Sequence, residues 1–250
     1  MSTLDFVPLL LALGMLPVMV LLMVAGERVA RRFREAPSGP VDAAVLALLG
    51  LLLGFQFAGA SSRLDARRQI VLREANAIGT AYLRVDILPA EEQPQLRALF
   101  KEYTGLRIQM ANARTIEEAV VADAQSRKVQ GKIWSHAVAA CRKDPSPATK
   151  TLVISAINDM IDVTSERMVA SHTHTPKAVI ALLLGVTLMS AFIVGYATEG
   201  PPRPWVHRIL FMLVIVTTLY VTLDMEFPRA GLIQVGAADE ALTATLAGMD

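Results

Sequence analysis

The sequence predicts an all-α integral membrane protein with four transmembrane helices and a helical extramembrane domain inserted between spans two and three. Apolar residues make up 53% of the chain and charged residues 19%, a balance shifted from globular usage toward membrane proteins. Four hydrophobic stretches approach or reach the length needed to cross a bilayer. The polar segment between the second and third has helical periodicity and lacks strand alternation.

The hydrophobic stretches lie in two pairs, at about 6–25, 41–60, 178–197 and 209–223. The last can be extended to Trp205, an aromatic residue typical of a membrane interface. These positions predict the following division of the chain: spans one and two within residues 1–60, a helical domain at 61–176, spans three and four within 177–224, and a short C-terminal tail at 225–250.

Span two carries the most informative pattern. Small residues recur at every fourth position, at Gly50, Gly54, Ala58 and Ser62, so they share one face of a helix. In lipid such a face lets two backbones approach closely. The pattern favours helix packing within one subunit; the alternatives are a subunit contact or a pore lining. No helix-breaking residue follows, so one helix is predicted to continue from lipid into water.

The inserted domain is predicted to contain four helices. The first continues span two with an apolar stripe from Leu64 to Val85, and Pro89 closes it. The second and third follow the stripes at 96–110 and 116–141. Ser146 and Pro147 are typical of an N-cap and a first-turn proline, so they begin the fourth.

Polar and aromatic residues near the end of span two are candidates for a pore or gate. Gln56 is the only strongly polar side chain inside that span and needs a partner; a hydrogen bond to Thr217 or Thr218 is favoured. In the alternative, Phe55 or Phe57 forms a hydrophobic constriction that gates by dewetting. The pore or gate candidates are Gly50, Gly54, Phe55, Gln56, Phe57 and Ala58.

Charged residues cluster where spans two and four end. Asp65 and Arg68 can pair on a helix surface, and Asp224 or Glu226 can pair with the arginines of 63–68 if both segments reach the same membrane face. The alternative is a ring of charge at a pore mouth. This juxtamembrane charge cluster consists of Arg63, Asp65, Arg67, Arg68, Glu74, Asp224, Glu226 and Arg229.

A helix-packing motif follows the charge cluster. A glycine in mid-helix costs about 1 kcal/mol relative to alanine, so its presence indicates close packing. The motif consists of Asn76, Gly79, Thr80 and Tyr82.

Several classes of function are excluded. The formal net charge is +1 and basic residues are not interleaved with aromatic ones, so no nucleic-acid partner is expected. His172 and His174 have no further ligand at metal spacing, and the motifs of nucleotide-binding, metalloprotease and hydrolase folds are absent. We therefore expect no enzyme activity, no metal and no cofactor.

The arginines of the short loops bear on orientation. Arg28, Arg31, Arg32 and Arg34 lie between spans one and two, and Arg203 and Arg208 lie near the loop between spans three and four. Arginines in short loops favour the cytoplasm more strongly than charges in long domains. This rule places the helical domain outside the cytoplasm.

Four runs resemble the bestrophin-like domain family of bacterial membrane proteins, whose function is largely unassigned. They are GFQFA at 54–58, SSRLDARR at 61–68, EANAIGTAYLR at 74–84 and LDMEFPRAGLI at 223–233. The resemblance implies a multi-pass protein of the bacterial inner membrane whose partners are the lipid bilayer, an inorganic ion and further copies of itself. By analogy with the family, the homo-oligomer would be a pentamer.

A more distant relation to bestrophins, which are pentameric anion channels, implies an ion channel that conducts anions. It also implies a cytoplasmic helical domain, the opposite of the arginine rule. The acidic calcium-binding cluster of bestrophins has no counterpart in this sequence, so calcium gating is not implied. The alternative function is a non-conducting membrane scaffold or sensor whose helical domain binds a partner.

Overall fold

The computed structural model describes residues 7–33, 39–113, 115–143, 146–197, 205–227 and 236–249. Within these ranges the secondary structure is helical and contains no strand, which confirms the all-α fold class. The eight α-helices described are α1 (Val7–Phe33), α2 (Gly39–Leu83), α3 (Gln93–Ala111), α4 (Ile116–Lys143), α5 (Pro147–His172), α6 (Lys177–Ala197), α7 (Trp205–Glu226) and α8 (Gly236–Ala247). A short 3-10 turn, Arg84–Ile87, follows α2.

Four helical stretches are long and apolar enough to cross a membrane, as predicted: Pro8–Phe33, Gly39–Ile87, Pro147–Ala197 and Trp205–Glu226. Helix α2 has 45 residues. At about 1.5 Å per residue it extends about 68 Å, more than twice the hydrocarbon thickness of about 30 Å. The predicted unbroken passage from span two into the charged segment is therefore confirmed.

The chain forms two compact units. The membrane unit comprises Met1–Leu64 and His174–Gln234, and the helical unit comprises Asp65–Thr173 and Val235–Asp250. Helix α2 contributes residues to both units. Residues 235–250, which the sequence analysis assigned to a tail, contribute α8 to the helical unit.

In the membrane unit, α1 packs against α6 and α7. Its core contains Met19 of α1, Leu49 of α2, Ala191 of α6 and Leu219 of α7. No hydrophobic difference separates these side chains from lipid tails, so close van der Waals packing is what holds the helices together. Small residues at the contact therefore stabilise the unit, because they let the helix backbones approach closely.

Two glycines mark where α1 and α6 approach most closely. A Cβ atom at Gly195 would overlap the backbone carbonyl of Met23, and a Cβ atom at Gly26 would overlap that of Phe192. Only glycine fits such a close approach of two backbones. Neither glycine was predicted to be a contact residue, because neither belongs to a regular small-residue repeat.

The helical unit has its own apolar core. Ile78 of α2, Phe100 of α3, Ile133 of α4 and Met160 of α5 are fully buried in it, so the apolar sides of these four helices face one another. Leu242 of α8 is also fully buried in this core. The C-terminal helix is thus an integral part of the unit.

The predicted start of α5 is confirmed. The hydroxyl oxygen of Ser146 accepts a hydrogen bond from the backbone N–H of Thr149 at 3.4 Å, and Pro147 occupies the first turn. Other predictions concern residues outside the described ranges: Arg34, Arg203 and Arg229.

Candidate functional site

A continuous line of exposed residues runs along the whole of α2. Its members follow one another in steps of three or four, so they lie on one side of the helix. All are exposed in the single chain, and we call them the α2 stripe: Ala44, Ala47, Leu51, Gly54, Ala58, Ser62, Asp65, Gln69, Leu72, Asn76, Thr80 and Leu83. Only 17% of the residues in the apolar window of this span are buried, against 22–28% in the other three.

Gly50 and Gly54 of span two do not pack against the other described residues of the subunit. A Cβ atom at Gly50 or at Gly54 would have no other described atom within 4 Å beyond the local helix backbone. The favoured interpretation, helix packing inside one subunit, is therefore wrong for these two glycines. Among the described residues of the chain, none covers this face.

The two phenylalanines of span two lie on different sides of α2. Two residues correspond to about 200° of helix rotation, so Phe55 and Phe57 cannot belong to one ring around an axis. Phe55 is 68% exposed and lies one turn after Leu51 of the α2 stripe, which is 53% exposed. Phe57 is 40% exposed. Leu51, which the sequence analysis missed, and Phe55 are the bulky apolar pair beside Gly54 and Ala58.

A polar cluster joins the ends of three helical segments of the membrane unit. Thr175, just before α6, accepts hydrogen bonds through its hydroxyl oxygen from Gln56 Nε2 at 2.7 Å and from Arg63 Nη2 at 2.6 Å. Glu226 at the end of α7 accepts from Arg63 Nε at 2.9 Å and from the backbone N–H of Thr175 at 2.5 Å. These four hydrogen bonds link α2, the segment before α6 and the end of α7, so the cluster can hold the three segments in register.

The contacts of this cluster correct the predicted partner of Gln56 and confirm the predicted pairing between the charged ends of spans two and four. The partner of Gln56 is Thr175, not Thr217 or Thr218. Glu226 is the acidic residue that pairs with an arginine of 63–68, as the charges at the ends of spans two and four indicated. Asp224 is also buried.

The three arginines at the start of the extramembrane part of α2 do not form one positive surface. The Arg63 side chain, 25% exposed, is bound to Glu226. Arg67 is buried and donates to the backbone carbonyls of Ala170 at 3.3 Å and Thr173 at 2.9 Å, which caps the end of α5. In the alternative, a ring of charge at a pore mouth, Arg63 and Arg67 would not contribute free positive charges, because both serve contacts within their own subunit.

Glu74 is the centre of a buried ion-pair network in the helical unit. It is fully buried and accepts from Arg107 Nε of α3 and from Arg167 Nη1 of α5. Arg107 Nη1 also lies 3.3 Å from Asp123 Oδ1 of α4. Burial disfavours the charged guanidinium, yet the adjacent carboxylate of Glu74 raises the pKa of Arg107. Each arginine of the network is paired with a carboxylate from another helix. The network therefore holds α2, α3, α4 and α5 against one another.

Tyr103 lies beside this network. Its hydroxyl forms a hydrogen bond of 2.9 Å with that of Thr164. Burial raises the pKa of Tyr103, so the phenol stays neutral over the physiological range.

The predicted helix-packing motif divides into two parts. Gly79 faces α8, where a Cβ atom would lie 3.6 Å from the methyl group of Thr245, and Tyr82 is buried against Phe100 of α3. Asn76 and Thr80 are exposed on the α2 stripe. Gly79 and Tyr82 therefore pack within the subunit, whereas the other two residues are available to a further copy or to solvent.

A second buried ion pair links α1 and α7 in the membrane unit. Arg208 Nη1 lies 2.9 Å from Glu27 Oε2, and its guanidinium stands 5.4 Å from the ring centre of Trp205. Glu27 also contacts Arg31. Arg208 was expected to be a loop charge, and Glu27 was not expected in the site. A carboxylate near the end of one span and an arginine near the start of another are the signal that could have indicated the pair.

Comparison with known proteins gives one family and one fold. The profile of the Bestrophin-like domain matches residues 9–239. A crystal structure of a bacterial bestrophin homologue from Klebsiella pneumoniae, phased by Zn-SAD, superposes with a TM-score of 0.72 at 14% identity and covers 96% of this chain and 98% of that chain. A variant of that homologue with a tryptophan replaced by alanine gives 0.73 at 15% identity over 95% and 97%.

A third structure, described as a membrane protein with a proline replaced by alanine, gives a TM-score of 0.66 at 15% identity and covers 100% of this chain and 99% of that chain. No functionally curated protein matches. At these identities the structural likeness shows the fold.

Proposed function

The chain belongs to the bestrophin-like family, and on that premise we propose that it is a homo-oligomeric ion channel of the bacterial inner membrane. The fold that it shares with bacterial bestrophin homologues is channel-like. In the proposed assembly, copies of α2 surround a common axis and turn the α2 stripe toward it.

The observation that carries this proposal is the α2 stripe itself. Within span two the exposed side of the helix carries the small residues Gly54 and Ala58, and the same side continues beyond the span with the exposed polar residues Ser62, Asp65, Gln69 and Asn76. Small residues allow helices to approach an axis closely, and polar ones suit a water-filled continuation. One subunit alone supplies only one wall of such a path, so the site is complete only in an oligomer.

Leu51 and Phe55 are the proposed constriction. Leu51 belongs to the α2 stripe, and Phe55 lies at its edge one turn later. They are the bulky apolar side chains beside Gly54 and Ala58 on this side of the helix, and both are more than half exposed. Repeated around an axis, such side chains form an apolar ring, which can exclude water and block ions without a plug. Gln56, by contrast, is tied to Thr175 and contributes to subunit structure.

Disulfide cross-linking tests the placement of the α2 stripe. With Cys141 replaced by alanine, Ala58→Cys should cross-link neighbouring copies in membranes under mild oxidation, because residues near a symmetry axis lie close together. Met189→Cys is the matched control, since Met189 is exposed on α6. Equal cross-linking at both positions, or none at Ala58→Cys, would contradict the proposal.

A non-conducting scaffold or sensor is the second candidate function. It is supported by a groove of about 500 Å³ between α4 and α5, lined among others by Trp134, Ile161, Met168 and Asn158. Mixed apolar and polar walls suit a bound segment or small molecule. An assembly in which α2 stripes are not adjacent, together with a partner retained through Trp134, would favour this function.

A further inference from the structure

The only charged residue on the α2 stripe is acidic. Asp65 follows Ala58 by seven residues, which is close to two full turns, so it continues the same line on the helix. Its side chain is 60% exposed. If the α2 stripe lines a path, Asp65 is the charge that stands nearest the axis.

The arginines of the same part of α2 are directed elsewhere. Arg63 and Arg67 bind Glu226 and the end of α5, as described above. Arg73 Nη2 lies 2.7 Å from Glu166 Oε2 on α5. Each of these three cations is thus held by an acceptor of its own subunit and lies off the α2 stripe.

Among the arginines that the structure describes, Arg68 lies close to Asp65. Its Nη1 lies 3.5 Å from Asp65 Oδ1, and both side chains are substantially exposed, so the pair is weak in water. Three residues rotate a helix by about 300°, which places Arg68 to the side of the line that Asp65 continues. In an assembly about the α2 stripe, the carboxylate is nearer the axis than the guanidinium.

We infer that Asp65 determines charge selectivity and that the path prefers small monovalent cations, such as K⁺, over chloride. The inference rests on the proposed channel function and differs from the anion conduction that the distant relation to bestrophins implies. A ring of carboxylates in a narrow aqueous path attracts cations and repels anions, because the interaction falls with distance from the charge. Gln69 and Asn76 continue the lining with neutral oxygen and nitrogen atoms.

Reversal potentials in a KCl gradient test this inference on the full-length oligomer in planar bilayers. The wild type should reverse toward the K⁺ equilibrium potential, with a K⁺ over Cl⁻ permeability ratio of about 3 or more. Asp65→Asn should bring the ratio to about 1, and Asp65→Glu should restore it, because the charge and not the shape is responsible. Arg68→Gln should raise the ratio above that of the wild type.

Glu102→Gln is the matched control, since it removes an exposed carboxylate of α3 from the same unit and should leave the reversal potential unchanged. A wild type that reverses toward the chloride potential would overturn the inference and leave the channel intact. So would an Asp65→Asn variant with the wild-type ratio. Assembled oligomers that carry no current would overturn the channel proposal and this inference with it.

Discussion

Arg63 of α2 and Glu226 at the end of α7 form an ion pair, with Nε donating to Oε2 at 2.9 Å. Thr175 bonds to both residues and to Gln56. Arg63, a candidate channel charge in the sequence, therefore links the middle of α2 to the end of α7. The position of the proposed lining helix depends on this link.

Removing the acidic partner should destabilise the membrane unit. In Glu226→Gln the guanidinium of Arg63 keeps its place but loses its counter-charge, at a cost of about 1–3 kcal/mol. Thermal unfolding of the purified protein in detergent would measure the loss as a lower Tm. Asp159→Asn changes an exposed residue of α5 and should leave Tm unchanged. An equal decrease of Tm in both variants would contradict a stabilising role of the Arg63–Glu226 pair.

The α1–α6 contact should tolerate no side chain at Gly195. Gly195→Ala places a methyl group against the backbone of Met23, and such overpacking costs about 1–3 kcal/mol. Gly185→Ala on the same helix is the control, because its Cβ meets no described atom within 4 Å beyond the local helix backbone. A Tm for Gly195→Ala equal to that of the control would show that the two helices do not approach as closely as described.

Glu74 should matter far more than the exposed Glu166. Glu74→Gln leaves Arg107 and Arg167 buried without their shared carboxylate, which should cost about 3–5 kcal/mol. Glu166→Gln removes only an exposed pair with Arg73 and should cost less than about 1 kcal/mol. Limited proteolysis and unfolding of the two variants would measure the difference, and similar stabilities would refute the role of the network.

The orientation of the helical unit can be tested at Gln125. Arg208 is buried against Glu27, so one arginine on which the short-loop rule relied serves the fold. The resemblance to bestrophins implies a cytoplasmic helical unit, and we expect Gln125→Cys to be protected in intact cells and labelled in inverted vesicles by an impermeant thiol reagent. The native Cys141 is buried and should not react with the reagent. Labelling in intact cells would show that the helical unit lies outside the cytoplasm, as the arginine rule predicts.

Much of the fold was predictable because most of the helices are marked by patterns within their own sequence. The apolar stretches, the stripe from Leu64 to Val85 and the Ser146 N-cap depend on residues close in sequence. Helix α8 was missed because its role depends on Leu242 entering a core built by other helices. A short alanine-rich tail contains no local sign of that core.

The site was less predictable because its contacts join distant residues. Gln56 and Thr175 are 119 residues apart, and Thr175 lies just outside the apolar span that follows it, whereas the expected partners, Thr217 and Thr218, lie within a span. The arginines of 63–68 looked equivalent in sequence, whereas the helix directs Arg63 and Arg67 inward and leaves Asp65 on the exposed side. Which charge faces outward follows from tertiary packing that a single sequence does not reveal.

Conductance of reconstituted oligomers tests the central claim most directly. We predict that the wild type conducts, that Phe55→Ala and Leu51→Ala raise single-channel conductance about twofold or more by widening an apolar constriction, and that Phe57→Ala, on another side of α2, leaves it unchanged. Silence of the wild type and of all three variants in correctly assembled oligomers, or a larger effect of Phe57→Ala than of Phe55→Ala, would contradict the account.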